Sequence, residues 1–282
     1  MFDLGPLVTI QESLKKYPTI EIDLLLTHVL GKTKEFLYTH PNHKLTIKQF
    51  NNLTKLVKRR LKGEPIAYIV GYKYFYGLKF KVTPNVLIPR PETEWLVERS
   101  LSILRELTAV KNGSIKVLDL GTGSGNIIIS LSSKIQDSSS KINFFASDIS
   151  KSASNIAKLN SVKHKTKVKF IHSDLFNNVN QKFDLIITNL PYTSTDNYQK
   201  LLSDLEYEPK RALTDGTDSW QIYKRFFSQV GNHLRPNGII LLEIDPKAKP
   251  FITRYAKHYL PKTKLRFFKD LRSLWRYMEV QI

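Results

Sequence analysis

The spacing of apolar residues changes character twice along the chain. Ile22, Leu25, Leu26, Val29 and Leu30 recur at helical spacing ahead of Gly31, and a second helix is predicted from Thr46 as N-cap through Ile47, Phe50, Leu53, Val57 and Leu61 to Gly63. Pro65 forbids continuation, so residues 1–65 are expected to form a small helical domain, suited either to packing as a lid or to recognising a macromolecule. From Gly63 to Glu94 aromatic and β-branched residues are broken by Gly and Pro, the pattern of a β-hairpin linker, expected over residues 66–94. Its last stretch is Pro89-Arg90-Pro91-Glu92-Thr93-Glu94. The two prolines hold it extended, so that Arg90, Glu92 and Glu94 can either reach a cleft or form a cluster of salt bridges.

After an amphipathic helix marked by Trp95, Leu96, Leu101 and Leu104, seven apolar runs follow: 115–120, 142–147, 168–172, 183–188, 239–244, 265–268 and 275–282. Most are separated by helical segments, which predicts an α/β domain over residues 95–282 with a doubly wound, mostly parallel seven-stranded sheet. The last two runs are joined by a few residues around Asp270-Leu271. A parallel crossover needs a dozen or more, so the final strand is predicted to run antiparallel.

Ligands in such sheets sit at the carboxyl ends of strands, and four successive strand ends carry polar or glycine-rich elements. The first is Gly121-Thr122-Gly123-Ser124-Gly125-Asn126, whose alternate glycines permit a tight turn and close approach of backbone to a ligand. A dinucleotide fingerprint would want a glycine at 126. The second is Ser147-Asp148, placing a carboxylate where ribose hydroxyls bind; the third is Ser173-Asp174-Leu175-Phe176, with a polar group and apolar surface for an adenine ring. The fourth is Asn189-Leu190-Pro191-Tyr192. Asn189 Oδ1 and a neighbouring backbone carbonyl can accept the two N–H bonds of a planar amino or amide group, on which Tyr192 can stack. S-adenosyl-L-methionine fits this set better than a dinucleotide, having ribose and adenine but no pyrophosphate.

Composition adds partners to this picture. The 282 residues carry 44 Lys plus Arg against 25 Asp plus Glu, a formal charge of +19, which suits a nucleic-acid-rich partner and is equally consistent with a general lysine bias. With no cysteine, disulfides and thiolate metal sites are excluded, and no metal site is expected. No apolar run approaches spanning length and Met1-Phe2-Asp3-Leu4 has no basic region before an apolar core, so the expectation is a cytoplasmic protein without membrane contact.

With these motifs in hand, the chain resembles the peptide-chain release factor glutamine methyltransferases, the HemK/PrmC group, over nearly its whole length. The likeness rests on Gly63-Glu64-Pro65 with Tyr68 and Gly71, Ile88 to Glu94, Asp119 to Gly125, Asn189 to Tyr192, and Tyr207-Glu208-Pro209 followed by Ala212-Leu213. Pro-Arg-Pro-Glu-Thr-Glu is the specific part, since Asn-Pro-Pro-Tyr-type elements also occur in adenine and guanine N-methyltransferases. The resemblance implies methyl transfer from S-adenosyl-L-methionine to the glutamine of a Gly-Gly-Gln loop, and a helical domain that recognises the release factor. On it, Asn189, Leu190, Pro191 and Tyr192 are the catalytic and substrate-binding residues, with Arg90 and Glu92 at the rim. Gly121, Thr122, Gly123, Ser124, Gly125, Asp148, Asp174, Leu175 and Asn189 are expected at the cofactor. The chain departs from the family at Leu190, usually proline, and at Glu243-Ile244-Asp245, usually Glu-Ile-Gly. The alternatives are a nucleic-acid N-methyltransferase and a non-catalytic cofactor-binding docking protein.

Overall fold

The structure, a computed structural model, describes residues 8–17, 21–135, 141–192, 205–214, 216 and 220–282. Two compact units divide the chain, 1–71 and 72–282. The first holds α1 (Ile10–Lys16), α2 (Ile22–Leu30), α3 (Lys34–Thr39), α4 (Ile47–Leu61) and α5 (Ile66–Val70). Thr46 opens α4 with a capping box: its hydroxyl accepts from Gln49 N–H while Gln49 Oε1 accepts from Thr46 N–H, which satisfies two orphan donors of the first turn. Gly31 closes α2 in the left-handed region at φ 63°. Leu25, Leu26, Leu53 and Val57 are buried between the helices. The unit runs past the boundary expected at residue 65, because Ile66–Val70 winds into a short helix rather than a strand, closed by Gly71 at φ 81°.

The second unit begins with a hairpin, β1 (Tyr72–Phe75) and β2 (Leu78–Lys81). Its turn, Tyr76-Gly77, has positive φ at both residues, the geometry that matches strand twist. Glu94 Oε1 accepts from Tyr76 N–H at 2.8 Å, tying that turn to the start of α6 (Glu94–Val110), which follows a 3-10 turn over Pro91–Thr93.

The sheet comprises β3 (Ile115–Leu120), β4 (Ile142–Asp148), β5 (Val168–His172), β6 (Phe183–Thr188), β7 (Leu234–Glu243), β8 (Lys264–Lys269) and β9 (Trp275–Gln281), in the order β5-β4-β3-β6-β7-β9-β8. Pairing is parallel from β5 through β7, and β9 lies antiparallel to both β7 and β8. Among the described residues the unit also holds helices α7 (Asn126–Lys134), α8 (Lys151–Lys163), α9 (Lys210–Leu213), α10 (Gln221–Val230) and α11 (Lys249–Tyr259). Alternate residues of the central strands enter opposite cores. Leu118, Leu120, Ile186, Ile240 and Leu242 join one with α10 and α11; Val117, Leu185, Ile187 and Leu241 join the other with α6 and α7. Burial on both faces explains why these strands read as continuous apolar runs.

Register decides what the strand ends bring together. Leu120 stands opposite both Ser147 and Thr188, Asp148 opposite His172, and Thr188 opposite Leu242. The next residues, Gly121, Asn189 and Glu243, therefore emerge side by side on the carboxyl edge. Strand order reverses direction between β3 and β6, which is where an open α/β sheet leaves a crevice.

Candidate active site

The turn after β3 is stitched to its neighbour. Gly121 N–H and Thr122 N–H both donate to the Ser147 carbonyl, at 2.8 and 2.9 Å, and Gly123 N–H donates to Asp148 Oδ2 at 2.8 Å. Ser150 N–H donates to Asp148 Oδ1 at 2.8 Å. Burial raises the Asp148 carboxyl above its ordinary value, and these two backbone donors oppose that. Gly121, Gly123 and Gly125 all have positive φ. A Cβ on Gly121 or Gly123 would meet no atom of the described residues within 4 Å, whereas one on Gly125 would lie 2.6 Å from Ile129 Cδ1 and 3.2 Å from Ala157 Cβ. The first two glycines leave open space above the turn; the third lets α7 pack.

Thr122 Oγ1 donates to Asp119 Oδ2 at 2.7 Å and Ser124 Oγ to Asn126 Oδ1 at 3.0 Å, so both hydroxyls are engaged within the turn and what Thr122 and Ser124 offer a ligand is backbone. Asp119 itself is fully buried, its Oδ1 makes no hydrogen bond among the described residues, and burial pushes its carboxyl up to about 7. After β5, Ser173 N–H donates to the Asp148 carbonyl at 3.0 Å. Leu175 is buried with φ 47°, and Asp174 is paired with Arg225 of α10 at 2.7 Å.

The end of β6 forms the other half of the crevice. Thr188 Oγ1 donates to the Leu120 carbonyl at 2.7 Å, locking the two central strands together. Asn189, Leu190 and Tyr192, with Leu87, Arg90 and Leu213, line a cavity of about 180 Å³. Leu190 is 4% exposed and its side chain joins the core. Arg90 is ion-paired with Glu208, whose Oε2 accepts from Ile88 N–H at 3.1 Å. The Glu92 side chain is exposed and outside the cavity's described lining, while its carbonyl accepts from Tyr277 OH at 2.7 Å.

Beside the cavity runs a buried polar chain. Asn189 Nδ2 donates to Thr93 Oγ1 at 3.4 Å, Thr93 Oγ1 donates to Glu243 Oε2 at 2.7 Å, and Tyr192 OH donates to Glu243 Oε1 at 3.3 Å. Burial raises the Glu243 carboxyl, opposed by the Thr93 hydrogen bond and by Arg276. Burial, with the Glu243 charge, holds the Tyr192 hydroxyl well above the tyrosine range, so it stays a donor. Sequence reasoning missed Asp119, Thr93 and Glu243 as site residues. The signal was in the motifs: each lies in a stretch that carries the family resemblance or marks a departure from it, Asp119 to Gly125, Ile88 to Glu94 and Glu243-Ile244-Asp245.

A mostly parallel sheet of this order, with a glycine turn after its first strand and an acidic end on the next, has the fold of the S-adenosylmethionine-dependent methyltransferases. The hMettl16 catalytic domain shares it with a TM-score of 0.55 at 14% identity, over 90% of this chain and 91% of that one, and residues 100–227 match the methyltransferase small domain. Residues 9–71 match the PrmC N-terminal domain. The chain is 34% identical to the release factor glutamine methyltransferase of Haemophilus influenzae over 237 residues, 81% of each protein. It is 37% identical to that of Koribacter versatilis over 264 residues, 92% of this chain and 89% of that protein. The chain belongs to the release factor glutamine methyltransferase family. It is also 38% identical over 244 residues to a bifunctional methyltransferase of Rickettsia typhi, and spans about half, 46%, of that longer relative.

S-adenosyl-L-methionine is the cofactor of this class, and the residues present fit it. It carries positive charge on its sulfonium and amino groups, and Asp119 Oδ1 is a buried acceptor without a partner among the described residues. It carries a ribose diol, and each Asp148 oxygen has one backbone donor, leaving lone pairs for two hydroxyls. Open space over Gly121 and Gly123 admits it.

Proposed function

We propose that this chain transfers a methyl group to the side-chain amide nitrogen of the glutamine in the Gly-Gly-Gln loop of peptide-chain release factors. Asn189 carries the reading: it stands on the strand end level with the Gly121–Gly125 turn and lines the cavity beside it. When bound, S-adenosyl-L-methionine supplies an electrophilic sulfonium methyl, and the S–C bonding electrons stay on sulfur as a nitrogen lone pair takes the methyl.

An amide nitrogen is a poor nucleophile because its lone pair is delocalised into the carbonyl. Asn189 Oδ1 and the Leu190 carbonyl accept its two N–H bonds, which holds the nitrogen in place and turns its lone pair toward the methyl. Their partial negative charge stabilises the positive charge that grows on nitrogen during transfer. The extra N–H proton then leaves to solvent. Tyr192 packs on the flat amide, Pro191 restricts Leu190 to extended backbone, and the Arg90–Glu208 pair shapes the rim. Asp119, Asp148, Leu175 and the three glycines hold the cofactor side. Recognition of the release factor body falls to the helical unit, whose α4 exposes Lys48, Lys55 and Lys58 on one side. A cytoplasmic setting follows from that substrate; no helix among the described residues is long and apolar enough to cross a membrane.

The shared Asn-x-Pro-Tyr element and the charge of +19 favour a second reading, nucleic-acid N-methylation. Labelled cofactor offered with purified release factor, the same factor with its Gly-Gly-Gln glutamine replaced by alanine, and RNA separates the two. Label on the intact factor alone supports the first reading; label on RNA supports the second.

A further inference from the structure

The amide of an asparagine is nearly symmetric in shape, so sterics alone do not decide whether Asn189 turns Oδ1 or Nδ2 toward a substrate. We propose that Thr93 and Glu243 form a hydrogen-bond relay that fixes Asn189 with Oδ1 facing the substrate cavity, making both positioning residues for the reaction. This rests on the methyl-transfer reading above.

The direction of the relay follows from counting protons. Glu243 is 2% exposed, and an ionised carboxylate only accepts. Thr93 Oγ1 stands 2.7 Å from Glu243 Oε2 and has one proton, which that bond consumes. Toward Asn189, 3.4 Å away, the hydroxyl presents a lone pair. A lone pair there calls for an N–H, so Nδ2 faces Thr93 and Oδ1 takes the opposite side. The flipped amide would set an oxygen against the Thr93 lone pair and offer N–H groups to a substrate that also presents N–H groups.

The relay is built from three distant places in the chain. Thr93 sits in the 3-10 turn after Arg90, its N–H donating to the Arg90 carbonyl at 3.1 Å. Glu243 ends β7, where strand register sets it beside Asn189. Tyr192 OH, 3.3 Å from Glu243 Oε1, engages the second carboxylate oxygen. Burial pushes the Glu243 carboxyl up, opposed by the Thr93 hydrogen bond and by Arg276; the relay has its single direction in the ionised form.

Single-turnover methylation of release factor tests this, together with calorimetric cofactor binding and thermal unfolding of each variant. Thr93→Val keeps the shape and removes the hydroxyl. It should lower the transfer rate roughly 10- to 100-fold, as expected when a reacting group is mispositioned, with cofactor affinity and substrate KM close to wild type. Thr93→Ser should restore most of the rate. In an Asn189→Ala background Thr93→Val should add little further loss, since it acts through that side chain. If Thr93→Val does not fold, Glu243→Gln takes its place, because a glutamine amide can hand Thr93 a donor and reverse the relay; it too should slow transfer with KM unchanged. A wild-type rate in Thr93→Val or Glu243→Gln, a Thr93→Ser variant as slow as Thr93→Val, or full additivity with Asn189→Ala overturns the relay while leaving the proposed function standing. No methylation of release factor by the wild-type protein overturns both.

Discussion

Arg90 and Glu208 are joined across 118 residues of sequence, and the second Glu208 oxygen accepts from Ile88 N–H at 3.1 Å. One buried carboxylate thus holds Arg90 of the Pro-Arg-Pro-Glu-Thr-Glu loop and the Ile88 backbone just ahead of it, and Arg90 forms part of the cavity wall next to Asn189. Arg90→Ala leaves that carboxylate short of its charged partner. It should lower stability by about 1.5–3 kcal/mol, the range for hydrogen bonds to charged groups. In denaturant titrations the double variant Arg90→Ala/Glu208→Gln should lose less than the sum of the singles. Strict additivity would show that the two side chains do not interact in solution.

Cofactor binding should depend on pH through Asp119. Its carboxyl is raised from 3.8 to about 7 by burial, so between those values the folded chain holds a proton that the unfolded chain has lost. Stability of the cofactor-free protein therefore falls as pH rises through that window. The ionised form is the one that attracts a cationic ligand. Affinity for S-adenosyl-L-methionine should consequently drop as pH falls below about 7, by up to about tenfold per pH unit, and level off above it. Calorimetry across this range should show the slope in wild type and lose it in Asp119→Asn. An equal slope in both would assign the titration to another group.

Gly123 and Gly125 serve different purposes in the same turn and should separate in experiment. Gly125→Ala puts a Cβ 2.6 Å from Ile129 Cδ1 at φ 82°, adding overpacking of about 1–3 kcal/mol to left-handed strain of about 1–2 kcal/mol. Gly123→Ala at φ 55° meets no atom of the described residues within 4 Å and bears the strain alone, but fills the space above the turn. The first should lose mainly melting temperature, the second mainly cofactor affinity. The reverse pattern would mean that the open space over Gly123 is not where the cofactor lies.

The strands were legible because chemistry marks their ends. β3, β5 and β6 run over the residues predicted from the apolar pattern, each stopped by glycine or a polar residue. The antiparallel last strand was legible from the short Asp270 connection. Its insertion between β7 and β8 was not, since strand order depends on pairings of distant segments. Ile66–Val70 is a short apolar run, for which periodicity does not separate helix from strand. β7 begins at Leu234, ahead of the predicted Ile239, because the ladder resumes with a register shift across Pro236, Asn237 and Gly238. At the site, Asn189, Asp148 and the glycine turn were readable as strand ends. The partners of Asn189 were not: Thr93 and Glu243 lie 150 residues apart, and only the folded register makes them neighbours. Leu190, read as a departure offering its carbonyl, also fills core space with its side chain.

The most direct test of the account is a single-turnover comparison of wild type with Asn189→Ala on intact release factor, with mass spectrometry locating the methyl group. Wild type should carry one methyl on the amide nitrogen of the Gly-Gly-Gln glutamine, and Asn189→Ala should be slower by ~100-fold or more at saturating cofactor. A methyl group found elsewhere, or an Asn189→Ala variant as fast as wild type, would contradict it.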